Sequence, residues 1–541
     1  MATVADFLIE RLENIGVKHV FGIPGDYVLD FYAALWDSPK IKVVNVTDED
    51  HAGFAADAYA RVNGVGCACV TYNVGASKLI NSVQCAYAER SPLIVISGSP
   101  GMKERDEGVL LHHMVGSFNS QKEMFSKITC ASIVLDDPVR AGYEIDRAFR
   151  EMQRCKQPIY IELPRDIAKK SISYDVYKLG TPKSLDSDPQ NLDEAINEVV
   201  AWLKTAERPA ILAGVELARY HLGEQLIKFA EKTKIPVATT LLSKSVINES
   251  HPLFAGIYSG SASQDLVKEI IEKSDCLLMF GVMLTDMNFS FRPVRFQKRQ
   301  VVSASINGLK VKNHTFTDVQ FKDFCEHLFK SEIQVKNPQE LPPKSKSVFE
   351  VDPKAKITTS RMFQKINSIL TKQMAIVADI GDSLFGASDL TVHHRNHFIS
   401  PAFYTSMGTA IPGALGVQMA KPDVRPIVIV GDGAFQMSMT ELSTIVQHNL
   451  NPIVFVLNNH GYVTERCLKE GGFNNLREWA YHDVCKVFGG QGMLVTTESE
   501  LEEAVKKALD SKSLFVINVS VGNNDVSPAL KRMTGALVEK I

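Results

Sequence analysis

The chain has 541 residues, 45% of them hydrophobic and 22% charged, with a formal net charge of −3. That length exceeds one compact core and implies about three domains of roughly 100–200 residues. The balanced charge excludes the basic footprint of a nucleic-acid binder, and no apolar run approaches the roughly 20 residues of a membrane span. The opening MATVADFLIERL carries acids among its first ten residues and reads as neither a secretory nor an organellar leader. Nine cysteines without a CxxC pair read as reduced thiols of a cytoplasmic protein.

The first block opens with a helix. Thr3 caps it with Asp6 at N3; Val4, Phe7, Leu8, Leu12 and Ile15 form its apolar stripe, and Gly16 ends it. VKHVFGI follows as a strand, with GIPGDY turning the chain at its carboxyl end. KVVNV, GCACVTY, LIVISG and PIYIEL are further strands, Cys67 and Cys69 being buried thiols on one face of theirs. Strands alternating with helices predict a parallel sheet covered on both faces. This domain spans residues 1–170. A polar, proline-bearing linker, YKLGTPKSLDSDPQ, leads to a second α/β domain over 190–335, with strands PAILAGV, IPVATT, CLLMFGV and RQVVSASI. A second linker, KNPQELPPKSKS, precedes the third domain, 352–541. Its strands are AIVADIG, RPIVIVGDG, NPIVFVLNN and LFVINVSV. Its closing helix starts at Pro528, and Val526, Ala529, Leu530, Met533 and Leu537 make one apolar face, either packed down or set over a pocket as a lid. The fold class is therefore α/β, three open and mainly parallel sheets, without a repeat of fixed period.

Two strands of the third domain end unusually. IVIVGDGAFQ places Asp432 between glycines, and PIVFVLNN places Asn459 27 residues further on, before a flexible HGY turn. In open α/β sheets ligands bind beyond the carboxyl ends of strands. Gly433 permits close backbone approach, and a helix starting after Ala434 points its amides at the same place. Mg²⁺ takes about six oxygens, commonly one or two from protein and the rest from phosphates and water. A carboxylate, an amide oxygen and a turn carbonyl meet that demand, so the pair reads as Mg²⁺ bridging a diphosphate. Two ordinary turns with Asp432 as a helix cap are the blander alternative.

GDGAFQ…LNN resembles the thiamine-diphosphate signature of the 2-oxo acid decarboxylases and their relatives, whose pyrimidine-binding, middle and diphosphate-binding domains occur in the order of the three blocks. The resemblance implies Asp432, Asn459 and the Gly461 carbonyl as metal ligands. Gly433, Ala434 and Tyr462 then lie beside the cofactor, with Thr71, Gly75 and Asp382. In VTDEDHAGFAADAYAR it implies Glu49, twelve residues before Arg61, as the glutamate that pairs with the aminopyrimidine ring; Asp48 and Asp50 are its rivals. Such a carboxyl favours the imino tautomer, whose nitrogen takes the thiazolium C2 proton. SMGTAIPGALG places Met407 as the apolar fulcrum that bends the cofactor and the Thr405 carbonyl near its amine.

Within that family, Asp26 of GIPGDY, the paired His112 and His113 of LLHHMVGSF, and Glu465, six residues after Asn459, are similar to the acid–base groups of simple decarboxylases. These deliver the proton required after CO2 leaves. Acetolactate synthase-type carboligases lack the paired histidines, a nicotinamide oxidoreductase would need a GxGxxG after an early strand, and a binding protein without chemistry would not keep all five groups. His393, His394 and His397 in TVHHRNHF have no acidic partner and read as a solvated loop or helix end. Leu384 in GDSLFG stands where pyruvate-specific relatives can carry tryptophan. The expected substrates are therefore bulky aromatic or branched 2-oxo acids, such as phenylpyruvate or indolepyruvate, rather than pyruvate. The family implies a homo-oligomer, at least a dimer and often a tetramer, because Glu49 serves a cofactor held by another subunit.

Overall fold

The computed structural model describes residues 2–172, 186–289, 300–342 and 348–538. Most of the first linker, residues 343–347 of the second and the side chain of Leu537 lie outside them. Three sheets follow one another along the chain. The first contains β1 (His19–Gly22), β2 (Lys42–Asn45), β3 (Gly66–Val70), β4 (Leu93–Ser99), β5 (Ala131–Val134) and β6 (Ile159–Pro164) in the order β2-β1-β3-β4-β6-β5, all parallel. The middle sheet contains β7 (Pro209–Ala213), β8 (Val237–Thr239), β9 (Phe254–Ile257), β10 (Cys276–Phe280), β11 (Val301–Ser305), β12 (Gly308–Val311) and β13 (His314–Phe316). Its order is β13-β12-β11-β10-β7-β8-β9, with β12 and β13 antiparallel. The third contains β14 (Met374–Ala378), β15 (Phe398–Ile399), β16 (Arg425–Gly431), β17 (Ile453–Asn458), β18 (Gln491–Val495) and β19 (Phe515–Ser520) in the order β15-β14-β16-β17-β19-β18. The first and third orders are the same when each domain's strands are renumbered from its own start. Both reverse direction beside their first strand, which opens a crevice at the carboxyl ends there.

Local signals explain the elements. The first helix, Val4–Asn14, carries the full capping box of Thr3 and Asp6, and Gly16 leaves it at φ +92°. A bridge from Thr3 to Ser171 ties the start of the first domain to its end. Cys67 and Cys69 are fully buried in β3. Helix Glu49–Asn63 is alanine-rich and packs along helix Ala410–Ala420, which is equally rich in small residues. Small side chains let the two backbones approach: a Cβ on Gly416 would fall 2.0 Å from the Ala55 carbonyl. One core cluster therefore runs through the first and third domains, from Val70 and Val95 to Val428 and Val454. Another joins Leu241 and Met287 of the middle domain to Val463, Leu530 and Met533 of the third. No helix among the described residues is long and apolar enough to cross a membrane.

Candidate active site

Register brings Asp432 and Asn459 together. Gly431 in β16 pairs with Leu457 in β17, so the two side chains leave neighbouring strands one residue apart in depth. Helix Asp432–Ser438 begins at the aspartate itself, not after Ala434, because the extended Gly431 (ψ 156°) serves directly as its N-cap. The Asp432 carboxylate accepts Gly433 N–H and Gly461 N–H, each at 2.8 Å. It is almost fully buried, and burial pushes its pKa up to about 6 against those two bonds. Asn459 Oδ1 is buried with no hydrogen-bond partner among the described residues. Gly433 is required by close approach, since a Cβ there would sit 2.6 Å from the Tyr462 ring.

These groups line a cleft of about 420 Å³. Asp382, Thr405, Met407, Gly461, Tyr462 and Glu465 line it as well, the last exposed at the start of helix Val463–Leu468. Thr405 has φ +59°, a strained value for a β-branched residue. The loop that carries it is anchored by Asp379, which sequence reading missed. This fully buried carboxylate accepts Gly408 N–H at 3.1 Å and Ala410 N–H at 2.9 Å, with its pKa pushed up to about 6 by burial. The acid at the end of AIVAD was the available signal. Asp382 is also buried, with its pKa raised to about 6. Its carboxylate accepts Ser527 N–H at 2.8 Å and the Ser527 hydroxyl, fastening the start of the C-terminal helix. That helix, Pro528–Val538, is a packed wall: Leu530, Met533 and Thr534 line the cleft and are buried.

Two further expectations are corrected. Leu384 does not line the cleft. Helix Asp382–Ser388 turns it inward, where it is fully buried with Val463, Val526 and Leu530, while Ser383 and Phe385 reach the cleft. The apolar end is walled by Met287, Ile380, Phe385, Val463, Leu530 and Met533 instead. His397 is buried rather than solvated: Nδ1 lies 3.2 Å from the Met374 carbonyl, and burial lowers its pKa to about 4. His394 is exposed, and His393 Nδ1 lies 2.7 Å from Ser250 Oγ.

The remaining groups sit at the strand ends of the first domain. Glu49 opens helix Glu49–Asn63, with Asp48 as its N-cap. Asp48 accepts Asp50 N–H and pairs with Lys78, and Asp50 is held by Ser82 N–H and Asn81, so both rivals are engaged locally. Glu49 Oε2 lies 3.0 Å from Lys78 Nζ, and a Cβ on Gly75 would come within 3.2 Å of Glu49 Oε1. The buried Thr71 hydroxyl has no partner among the described residues. Asp26 Oδ2 lies 2.8 Å from His112 Nε2, and the His112 ring stacks on Tyr27 at 4.6 Å. Ligand atoms of Asp26, His112 and His113 lie within 4.8 Å of one another. His113 has φ +66°; its carbonyl accepts the Asn73 side-chain amide N–H at 2.7 Å, and its buried Nδ1 has no partner among the described residues. Neither Tyr27 nor Asn73 was singled out from sequence. None of Asp26, Glu49, His112 and His113 lines the third-domain cleft of the same chain.

Three family models match: the N-terminal, central and C-terminal domains of thiamine pyrophosphate enzymes, over residues 2–124, 196–328 and 379–519. The chain is 30% identical to an indole-3-pyruvate decarboxylase of Azospirillum brasilense over 545 residues, covering 98% of this chain and 97% of that one. It is 31% identical to a probable pyruvate decarboxylase of Schizosaccharomyces pombe, covering 98% and 94%. Pyruvate decarboxylase isozyme 1 of Saccharomyces cerevisiae is 27% identical, covering 90% and 89%. The chain belongs to the thiamine-diphosphate-dependent 2-oxo acid decarboxylases.

The cofactor of this decarboxylase is thus thiamine diphosphate, typically bound with Mg²⁺. The third-domain cleft fits both. Its donors are oxygens, as a hard cation requires. The unpartnered Asn459 Oδ1 and the costly buried charge of Asp432 are each relieved by a cation. Gly433 lines the same cleft, its missing side chain leaving room for the Tyr462 ring.

Proposed function

We propose that this decarboxylase releases aldehydes from bulky aromatic or branched 2-oxo acids in preference to pyruvate. Bound thiamine diphosphate supplies the electron sink for CO2 loss. Asp432, Asn459 Oδ1 and the Gly461 carbonyl hold Mg²⁺, with Gly433, Ala434 and Tyr462 beside the diphosphate. Met407 would support the cofactor and the Thr405 carbonyl would accept from its amine, while Asp382 fixes the wall of the cleft through Ser527. Glu49, with Thr71 and Gly75, comes from a second copy of the chain and hydrogen-bonds the pyrimidine. Asp26, His112 and His113 arrive with it and face Glu465, so that proton delivery is shared across two chains. Exposed apolar side chains support that association: Leu110 (89% exposed) and Val115 flank the histidines, and Met437 and Phe473 lie on the third domain. The free cysteines agree with a reducing, cytoplasmic compartment.

The substrate preference rests on the apolar end of the cleft. Met287 and Met533 are adaptable side chains, and none of the three tryptophans, Trp36, Trp202 and Trp479, lines it. By their names the bacterial relative acts on indole-3-pyruvate and the fungal ones on pyruvate. The test is aldehyde release from pyruvate, branched-chain, phenyl and indole 2-oxo acids, with and without thiamine diphosphate and Mg²⁺. A highest kcat/KM for pyruvate would overturn the preference.

A further inference from the structure

The turn that follows β17 holds two consecutive residues at positive φ, His460 at +60° and Gly461 at +146°. Such conformations persist only where their surroundings over-determine them. A Cβ on Gly461 would fall 2.0 Å from the Asn474 carbonyl and 2.6 Å from Arg466 Nη2, so the turn is wedged between these two groups. Tyr462 N–H donates to the same Asn474 carbonyl at 2.9 Å.

Arg466 lies in helix Val463–Leu468 beside the exposed Glu465, but it is buried and does not line the cleft. Side chains on a helix tilt toward its N-terminus, which aims this one back at the turn. Nη1 donates to the Asn459 carbonyl at 3.0 Å and to the Asn523 carbonyl at 2.9 Å. Nη2 donates to the His460 carbonyl and to Asn475 Oδ1, each at 2.8 Å. Burying a cation is costly unless its donors are satisfied. These four acceptors satisfy them, and none is a carboxylate. They come from three segments: the turn itself, the chain after β19, and the chain after the short helical turn Gly472–Asn474. A planar guanidinium serves four acceptors at fixed angles; an ammonium with three donors on a flexible stem cannot.

We propose that Arg466 is a positioning residue for the Mg²⁺ site, holding the Asn459–Gly461 turn in its binding shape before the cofactor arrives. The reasoning follows from peptide planarity. The His460 carbonyl that Arg466 holds shares its plane with Gly461 N–H, the donor to Asp432 at 2.8 Å. The Asn459 carbonyl that it holds fixes the plane between Asn459 and His460. One side chain therefore sets the direction of Asn459 Oδ1, the Gly461 carbonyl and the Asp432 contact. The inference rests on the assignment of Asp432, Asn459 and Gly461 to Mg²⁺ made above.

The test compares the full-length wild type with Arg466→Lys, which keeps the charge and loses the fork, and Arg466→Met, which loses both. Thiamine diphosphate is titrated calorimetrically at graded Mg²⁺, at a temperature where thermal unfolding shows each chain folded. The Mg²⁺ concentration for half-saturation should rise at least about tenfold in both variants. A purely structural arginine would lower the melting temperature and leave that concentration unmoved, which would overturn the proposal. Asp432→Asn separates the two readings: wild-type binding in that variant strikes the metal site itself, whereas weakened binding there with unchanged Arg466 variants strikes only the role of Arg466. Hydrogen exchange on the cofactor-free wild-type chain needs no variant to fold. The Gly461 and Tyr462 amides should already be protected at least about 100-fold over an open chain; unprotected exchange would overturn the proposal.

Discussion

Asp432→Asn should move stability and cofactor affinity in different directions. In the cofactor-free protein burial lifts this carboxyl from an ordinary 3.8 to about 6. About two units at about 1.4 kcal/mol each make the ionised carboxylate cost about 3 kcal/mol at pH 7. The folded state binds this proton more tightly than the unfolded state, so the group's contribution to stability falls as pH rises from 3.8 through about 6. An amide removes the charge but offers one oxygen where Gly433 N–H and Gly461 N–H now use two. Leaving one N–H unpaired costs about 1–3 kcal/mol. The net expectation for the cofactor-free variant is between no change and about 2 kcal/mol of added stability, with Mg²⁺–thiamine diphosphate binding weakened at least about 100-fold. Thermal unfolding without cofactor and calorimetric titration with it measure the two. The wild-type protein carries the same logic in pH: with a pKa of about 6, a proton competes with the cation below pH 6, and affinity should fall about tenfold from pH 7 to pH 5. A variant that is destabilised by more than about 2 kcal/mol, or that binds the cofactor as the wild type does, would refute the reasoning.

Glu49→Gln should keep the fold, since its ion-pair partner Lys78 is half exposed, and should lower kcat at least about 100-fold; undiminished turnover sinks the role of Glu49. Mixing Glu49→Gln with Asp432→Asn subunits, each inactive alone, should restore about a quarter of wild-type activity on subunit exchange if sites form across a two-fold interface, and no restoration would place each site within one chain. Gly433→Ala puts a Cβ 2.6 Å from the Tyr462 ring and 3.0 Å from Leu476, an overpacking cost of about 1–3 kcal/mol read as a lower Tm and weaker cofactor binding. Met533→Trp fills the apolar end of the cleft and should lower kcat/KM for phenyl and indole substrates more than for pyruvate; an unchanged ratio would remove Met533 from the specificity wall.

Much of the site is legible because its residues break a local pattern. Asp432 and Asn459 end apolar runs, where a buried strand has no other reason for a polar side chain. The three-sheet order follows from the same alternation of apolar runs and helices. Asp379 is harder to read, since its partners are backbone amides at Gly408 and Ala410, 29 and 31 residues away, and backbone amides have no sequence signature. Asn73 escapes for the same reason, as its partner is the His113 carbonyl. Leu384 is misread because Asp382–Ser388 is too short for periodicity to say which side meets the cleft. His397 looks solvated in polar text, yet β15 begins at Phe398 and pairs with β14, which draws the preceding ring into the core.

Packing argues for the proposed division of the site between two chains. Glu49 does not line the cleft of its own chain, and helix Glu49–Asn63 is packed against helix Ala410–Ala420. The 2.0 Å separation of a Gly416 Cβ position from the Ala55 carbonyl leaves no room to slide, and the cluster shared by the two domains would have to open. Arg61, at the far end of the same helix, adds a bond to the Ser400 carbonyl of the third domain at 3.2 Å. Exposing even a few of those buried side chains costs about 1.5–3 kcal/mol each, more than a conformational step in each turnover can bear. A second chain would supply Glu49 with that packing intact, and the exposed Leu110 and Val115 beside the histidines would gain by being covered. The core shared by the two domains is thus the packing argument for the proposed pair.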